Sequence, residues 1–333
     1  MYTDDDLHSA VQEGVISEQS ASDFRQFVEE RRNTHFQDEE HVRFVSGFND
    51  IFVVIAAVVT LVASWTLGNL IGFGLGGLLV AASSWIMSEY FSRKRQMALP
   101  SIVLLLTCLG GVYFSAFFGF KLITGETELA AMLATAVTTL ISVAHWLRFR
   151  VPIAFATSLG LLMVTAFVPL EWWIESTVVW QSVIFLAGVL VFAIALYWDR
   201  KDTLRQTRSS DIAFWLHLVA APMLVNPLFA GITKGDFDIG IAQALITVAV
   251  YALLSVTSLI IDRRALMVSA LAYVFYVFAS LLTNVGLVDL ATTITGLVIG
   301  IGLLLVSSQW HGIRAILLNQ LPPRLQAYVP PIS

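Results

Sequence analysis

The chain has 333 residues, of which 57% are hydrophobic and only 13% are charged. Charged residues make up roughly 25% of an average soluble domain, so this composition excludes a water-soluble protein and predicts a chain folded in a lipid bilayer. The formal net charge of −5 arises mainly from an acidic N-terminus, and the basic residues lie in short segments between apolar runs. We therefore expect no nucleic-acid partner.

The first 46 residues are polar and are predicted to form a cytoplasmic helical hairpin followed by an interfacial linker. Thr3 is placed to cap a first helix that ends near Gly14, and Ser17 to cap a second helix. Both helices are too short to be stable alone, so we expect them to pack on each other, on the membrane domain or on a partner. The polar start does not have the pattern of a cleavable signal peptide.

Residues 47–308 are predicted to form an all-α bundle of ten transmembrane helices, because ten apolar runs approach or reach the ~20 residues that cross the hydrocarbon core. The predicted spans are 49–67, 70–91, 98–119, 128–147, 152–170, 178–198, 211–230, 238–261, 265–284 and 288–308. Residues 309–333 are predicted to form a cytoplasmic interfacial helix and a Pro-rich tail.

Lysine and arginine residues are distributed unequally between the two sides of this predicted bundle. With both termini in the cytoplasm, only Lys121 and Lys234 of the 19 lysines and arginines fall outside, which leaves 17 on the cytoplasmic side. Cations next to a span are retained in the cytoplasm, so the sequence predicts an orientation with the N-terminus and the C-terminus inside.

Two stretches at the ends of the chain resemble a known family of membrane proteins. The N-terminal pattern is Val11, Gly14-Val15-Ile16-Ser17-Glu18-Gln19 and Ala21, and the C-terminal pattern is Trp310, Arg314, Leu317-Leu318, Pro322 and Pro330-Pro331. Both are similar to the corresponding ends of bacterial proteins of the domain-of-unknown-function 2157 family. The resemblance implies a protein of the bacterial inner (cytoplasmic) membrane with no assigned activity, and it carries over no functional residues.

The seventh predicted span contains the residues that are most unusual inside a membrane helix. Pro222 and Pro227 each lack an amide donor and crowd a preceding carbonyl, so we expect the helix to kink or open. Asn226 lies within this break, and His217 lies about 7.5 Å along the helix axis from Pro222. Broken backbone in a bilayer must face protein or a wet cavity. The four residues are therefore a candidate ligand site, and the alternative is a kink filled by a neighbouring helix.

Glycines recur every four residues at the start of the second span and within the tenth. In lipid, such repeats let helix backbones approach closely, within one chain or between copies in an oligomer. The predicted helix contacts are Gly68, Gly72, Gly76, Gly296 and Gly300.

The titratable residues give few signs of catalysis or ion coupling. The middles of all ten predicted spans lack Asp, Glu, Lys and Arg, and we interpret Asp50, Glu89, Asp211 and Asp262 as ordinary charges at helix ends. His145, His217 and His311 lie at the inner leaflet, and two such histidines on facing helices could ligate a haem or metal, with His145 and His217 as the candidates. Because no metal-ligand spacing accompanies them, the sequence predicts no cofactor.

Three functions stay open at this point. The first is binding or facilitated movement of a small amphipathic solute or lipid through a cavity near the seventh span, with membrane lipids as partners. The second is a non-catalytic scaffold or accessory subunit that docks a protein partner through the N-terminal hairpin. The third, a membrane enzyme or haem carrier, ranks last because the sequence contains no phosphate loop, nucleophile elbow or paired catalytic carboxylates.

Overall fold

A computed structural model of the chain describes residues 48–330 except 73, 204, 206, 234–240, 285–287, 323–325 and 327–328, and near the N-terminus residues 11, 13, 15, 17–21 and 23–24. Most of the predicted hairpin and all of its linker up to residue 47 lie outside these residues. Two compact units divide the chain: Met1–His41 with Ile332–Ser333, and Val42–Pro331. In the first unit, the Ser17 Oγ accepts a hydrogen bond from the backbone N–H of Ser20 at 3.1 Å, which is the bond of a helix N-cap.

The described part of the second unit contains eleven α-helices and no strand. They are α1 (Phe48–Ile71), α2 (Leu75–Ser88), α3 (Ala98–Thr124), α4 (Thr127–Phe149), α5 (Pro152–Glu171), α6 (Thr177–Lys201), α7 (Arg208–Thr233), α8 (Ile241–Ile261), α9 (Ala265–Asn284), α10 (Val288–Ser308) and α11 (Trp310–Asn319).

Eight of these helices, α1 and α3 to α9, are long and apolar enough to cross a membrane, and the pair α10–α11, bent by 65°, makes a ninth if it counts as one span. The prediction of an all-α, multi-pass membrane protein is thereby confirmed. The predicted count was ten, and the difference lies partly in α2. Its α-helical part has 14 residues and continues as a π-helix over Glu89–Lys94.

The order of packing places α7 at the centre of the second half of the bundle. From α1 to α5, each helix packs against the next along the chain, whereas α6 joins the bundle mainly through α7. α7 also packs against α5, α8 and α9, and half of its most apolar stretch is buried, the largest share among the candidate spans in the described part of the chain.

The helix α7 runs without a break from Arg208 to Thr233, with Pro222 and Pro227 inside it. The expected opening of the backbone at these prolines therefore does not occur. Each proline removes one hydrogen bond of the helix ladder.

The predicted glycine repeat of the second span is divided between two helices. Gly68 belongs to α1 and Gly76 to α2, and a turn through Gly74, at φ 86°, makes them face each other. A Cβ atom added to Gly68 would lie 2.6 Å from the Gly76 Cα. A Cβ on Gly72 would meet the Leu75 side chain at 3.1 Å.

The second predicted repeat has more space around it. A Cβ added to Gly296 would lie 3.8 Å from the ring of Phe275, an ordinary contact, and one added to Gly300 would meet nothing within 4 Å. The backbone of α10 is therefore not in close contact with another helix at Gly300.

The C-terminal segment folds back on α11. The buried guanidinium of Arg314 donates from Nη2 to the carbonyl of Pro330 at 2.6 Å, and the Gln326 amide donates to the carbonyl of Leu318 at 2.8 Å. The described part of the predicted Pro-rich tail thus contacts the helix before it.

Candidate functional site

The helices α6 and α7 form the most extensive helix pair of the described structure and carry two features of different chemistry. Between these features the two backbones approach closely at Gly188. A Cβ atom added there would lie 2.9 Å from the Met223 Cβ and 3.1 Å from the Leu224 backbone nitrogen. On the side of the connecting loop, residues 202–207, the pair holds buried charges, and on the other side it opens into a groove.

The buried charges begin with Asp199, near the end of α6, which is only 7% exposed. Its carboxylate accepts a hydrogen bond from His217 Nε2 at 2.8 Å and one from Arg263 Nη2 at 2.6 Å. Arg263, which is 2% exposed, also donates to the carbonyl and hydroxyl oxygens of Ser210, each at 3.1 Å. These hydrogen bonds join the end of α6 to the start of α7 and to the turn between α8 and α9.

The neighbouring residue in that turn, Asp262, joins two further segments. It has a left-handed backbone, with φ 57°, and Ser258 Oγ donates to the carbonyl of the next residue, Arg263. The Asp262 carboxylate pairs with Arg205 Nη1 at 3.0 Å and accepts from Trp310 Nε1 at 2.9 Å. Arg314 Nε lies 3.6 Å from the same carboxylate.

We call Asp199, Arg205, His217, Asp262, Arg263 and Arg314 the charged cluster. Three guanidiniums face two carboxylates in it, and burial removes both signs of charge from water. Burial also lowers the pKa of Arg205, as does the nearby Arg263, while Asp262 and Asp199 oppose this shift. Arginine keeps its proton in proteins. The three arginines of the cluster are therefore permanent cations, and their desolvation is offset by the two carboxylates and by oxygen acceptors of Ser210 and Pro330.

A groove of 880 Å³ opens between α6 and α7 on the other side of Gly188. The residues that line it are mostly apolar: Thr177, Val178, Gln181, Ser182, Phe185 and Leu186 on α6, and Pro227, Leu228 and Ala230 on α7. Its volume lies within the roughly 300–1,000 Å³ typical of small-molecule sites.

Two polar side chains of this groove differ in their hydrogen bonding. The Ser182 hydroxyl donates to the Val178 carbonyl at 2.8 Å, so its donor is used within the helix. The Gln181 Oε1 is buried and has no hydrogen-bond partner in the protein. An amide oxygen in this state is suited to accept a hydrogen bond from a bound molecule.

The four residues of the predicted ligand site take different positions. His217 is 1% exposed and belongs to the charged cluster, and its ring packs edge-on against Phe192. Pro222 and Asn226 are exposed. Pro227 alone of the four lines the groove.

His145, the other candidate haem or metal ligand, is buried in α4 between the rings of Trp85 and Phe149, with centroid distances of 5.6 and 4.4 Å. Neither of its ring nitrogens has a hydrogen-bond partner in the protein. Among the described residues, no group of three or more His, Cys, Asp or Glu side chains could hold a metal ion.

Sequence reasoning missed the roles of Asp199, Arg263 and Gln181. It also interpreted Asp262 as an ordinary charge at a helix end, whereas the structure buries its carboxylate beside Arg205, Trp310 and Arg314. One signal was present in the sequence. Asp262-Arg263-Arg264 forms the entire connection between two apolar runs, and so short a connection leaves its charged side chains close to the helix ends.

Comparison of the chain with protein-family models, curated proteins and solved structures found no match.

Proposed function

We propose that this membrane protein binds an amphipathic molecule, a small solute or a lipid, in the groove between α6 and α7. The groove itself is the observation that carries the proposal. Its apolar residues suit an alkyl chain, and Thr177, Gln181 and Ser182 supply polar atoms at the end near the start of α6. Since both helices are of membrane-spanning type, an amphipathic molecule can enter directly from the bilayer.

Filling the groove is expected to remove the bound molecule. In Ser182→Trp, the indole would occupy the space between the two helices, and copurified amphiphile should fall about tenfold, which corresponds to ~1.4 kcal/mol of lost binding. The measurement is native mass spectrometry of the full chain released from mild detergent, with palmitoyl-oleoyl phosphatidylethanolamine as the added probe.

Ala193→Trp is the matched control, because Ala193 lies on the same helix, is exposed, and does not line the groove. It should retain the probe as the original chain does. Equal retention by Ser182→Trp and Ala193→Trp would contradict the proposal. The scaffold function would then be the better account of the chain.

We also propose the finer topology: ten spans, with both termini in the cytoplasm of a bacterial cell. In support of it, α2 together with its π-helical continuation reaches Lys94, and α10 has 21 residues. The distribution of lysine and arginine supports the same arrangement. Membership of the domain-of-unknown-function 2157 family is part of this proposal, based on the two terminal patterns.

Cysteine labelling is expected to show this orientation. Glu175→Cys, in the exposed connection between α5 and α6, should react with a membrane-impermeant thiol reagent on intact cells, because this connection is assigned to the outside. Thr203→Cys, between α6 and α7, should react only after the cells are permeabilised. The natural Cys108 is buried and serves as the unreactive background. The reverse labelling pattern would refute the orientation.

A further inference from the structure

The unsatisfied oxygen of Gln181 identifies the kind of molecule that would complete the groove. Buried side-chain acceptors in proteins almost always have a hydrogen-bond partner, so an orphaned one indicates a partner outside the chain. The nearest polar neighbour along α6, Ser182, uses its hydroxyl for the Val178 carbonyl. On the facing wall, Pro227 has no backbone N–H to offer. The missing partner is therefore a hydrogen-bond donor.

The depth of Gln181 indicates which part of a lipid lies beside it. Gln181 is four residues after the start of α6, about 6 Å along the axis. The connection before α6 exposes Trp172 and Trp173, the latter 84% exposed, and Trp180 packs against Phe167 at 6.0 Å. Tryptophans at helix ends mark the headgroup region of a bilayer.

The other end of the groove reaches towards the hydrocarbon. Phe185 and Leu186 lie one to two turns further along α6 than Gln181, and Leu228 faces them from α7. An extended acyl chain along these residues would place the headgroup of its lipid at the level of Gln181. One lipid molecule would then contact the apolar residues and also supply a partner for the orphaned Gln181 oxygen.

We propose that the groove binds one acyl chain of a phospholipid whose headgroup carries N–H or O–H donors, and that Gln181 Oε1 accepts a hydrogen bond from that headgroup. This inference rests on the proposed function. Phosphatidylethanolamine and phosphatidylglycerol have such donors. Phosphatidylcholine has the same glycerol and acyl chains, but its trimethylammonium group has no N–H or O–H.

The experiment compares retention of the ethanolamine and choline lipids, with identical palmitoyl and oleoyl chains, on the full-length protein by native mass spectrometry. We expect the original chain to prefer phosphatidylethanolamine by about two- to tenfold, the range that one net hydrogen bond supports. Gln181→Leu should abolish this preference while it still retains both lipids. Gln309→Leu, at an exposed glutamine outside the groove, should keep the preference.

A second variant, Gln181→Glu, is expected to strengthen the selection of one headgroup rather than abolish it. Gln181→Glu places a carboxylate beside the headgroup, so it should raise the preference for phosphatidylethanolamine over the anionic phosphatidylglycerol. Equal retention of the ethanolamine and choline lipids by the original chain would overturn the headgroup assignment. If Ser182→Trp nevertheless loses its bound lipid, the groove would still be the binding site, and only the headgroup assignment would be wrong. Loss of both lipids in Gln181→Leu, with unchanged thermal unfolding, would also overturn the assignment.

Discussion

Replacing Arg263 with alanine is expected to lower the free energy of unfolding by about 3–5 kcal/mol, because the change leaves a buried carboxylate without its cation. Arg263 contacts Asp199 through Nη2 at 2.6 Å and through Nε at 3.4 Å, and it joins Asp199 to Ser210 on α7. The measurement is unfolding in mixed micelles with an increasing fraction of sodium dodecyl sulfate, followed by circular dichroism.

The matched control is Arg93→Ala. Arg93 also pairs with a carboxylate, that of Glu89 at 3.2 Å, but its side chain is 52% exposed. Solvent screens such a pair, so its loss should change unfolding little. Combining Arg263→Ala with Asp199→Asn should recover part of the lost stability, since no uncompensated carboxylate remains. Unfolding of Arg263→Ala at the same detergent fraction as the original chain would show that the charged cluster does not stabilise the bundle.

The second large effect is expected at Gly77, where α2 meets α3. A Cβ atom added there would lie 2.5 Å from the Gly111 carbonyl oxygen and 2.5 Å from the Ser115 Oγ. The carbonyl belongs to a helix backbone and cannot move without moving α3. Gly77→Ala is therefore expected to destabilise the protein by about 1–3 kcal/mol, as overpacking does in a close-packed core.

Gly110→Ala is the control on the facing helix, because a Cβ atom added at Gly110 meets nothing within 4 Å. Alanine is the better helix former, by roughly 0.5–1 kcal/mol, so this variant should be neutral or slightly more stable. The same mixed-micelle titration measures both variants. If both variants lose the same stability, the close contact between α2 and α3 is not the cause of the loss in Gly77→Ala.

The sequence by itself determined the class of protein and the extent of most helices. The predicted spans 152–170, 265–284 and 288–308 correspond to Pro152–Glu171, Ala265–Asn284 and Val288–Ser308. The reason is local. In a bilayer every backbone polar group must be satisfied within the chain, so an apolar run of sufficient length becomes a helix whatever its neighbours are.

The sites depended on the tertiary structure, because they join residues that are far apart in the chain. Asp199 and Arg263 are separated by 64 positions, and they meet only because α7 packs against both α6 and α9. The groove likewise requires α6 and α7 to diverge beyond their contact at Gly188. Hydrophobicity sets where each helix begins and ends, but lipid solvates every apolar helix equally well, so hydrophobicity does not choose its neighbours. The choice of neighbours is made by close packing and by the few buried polar groups that must find partners.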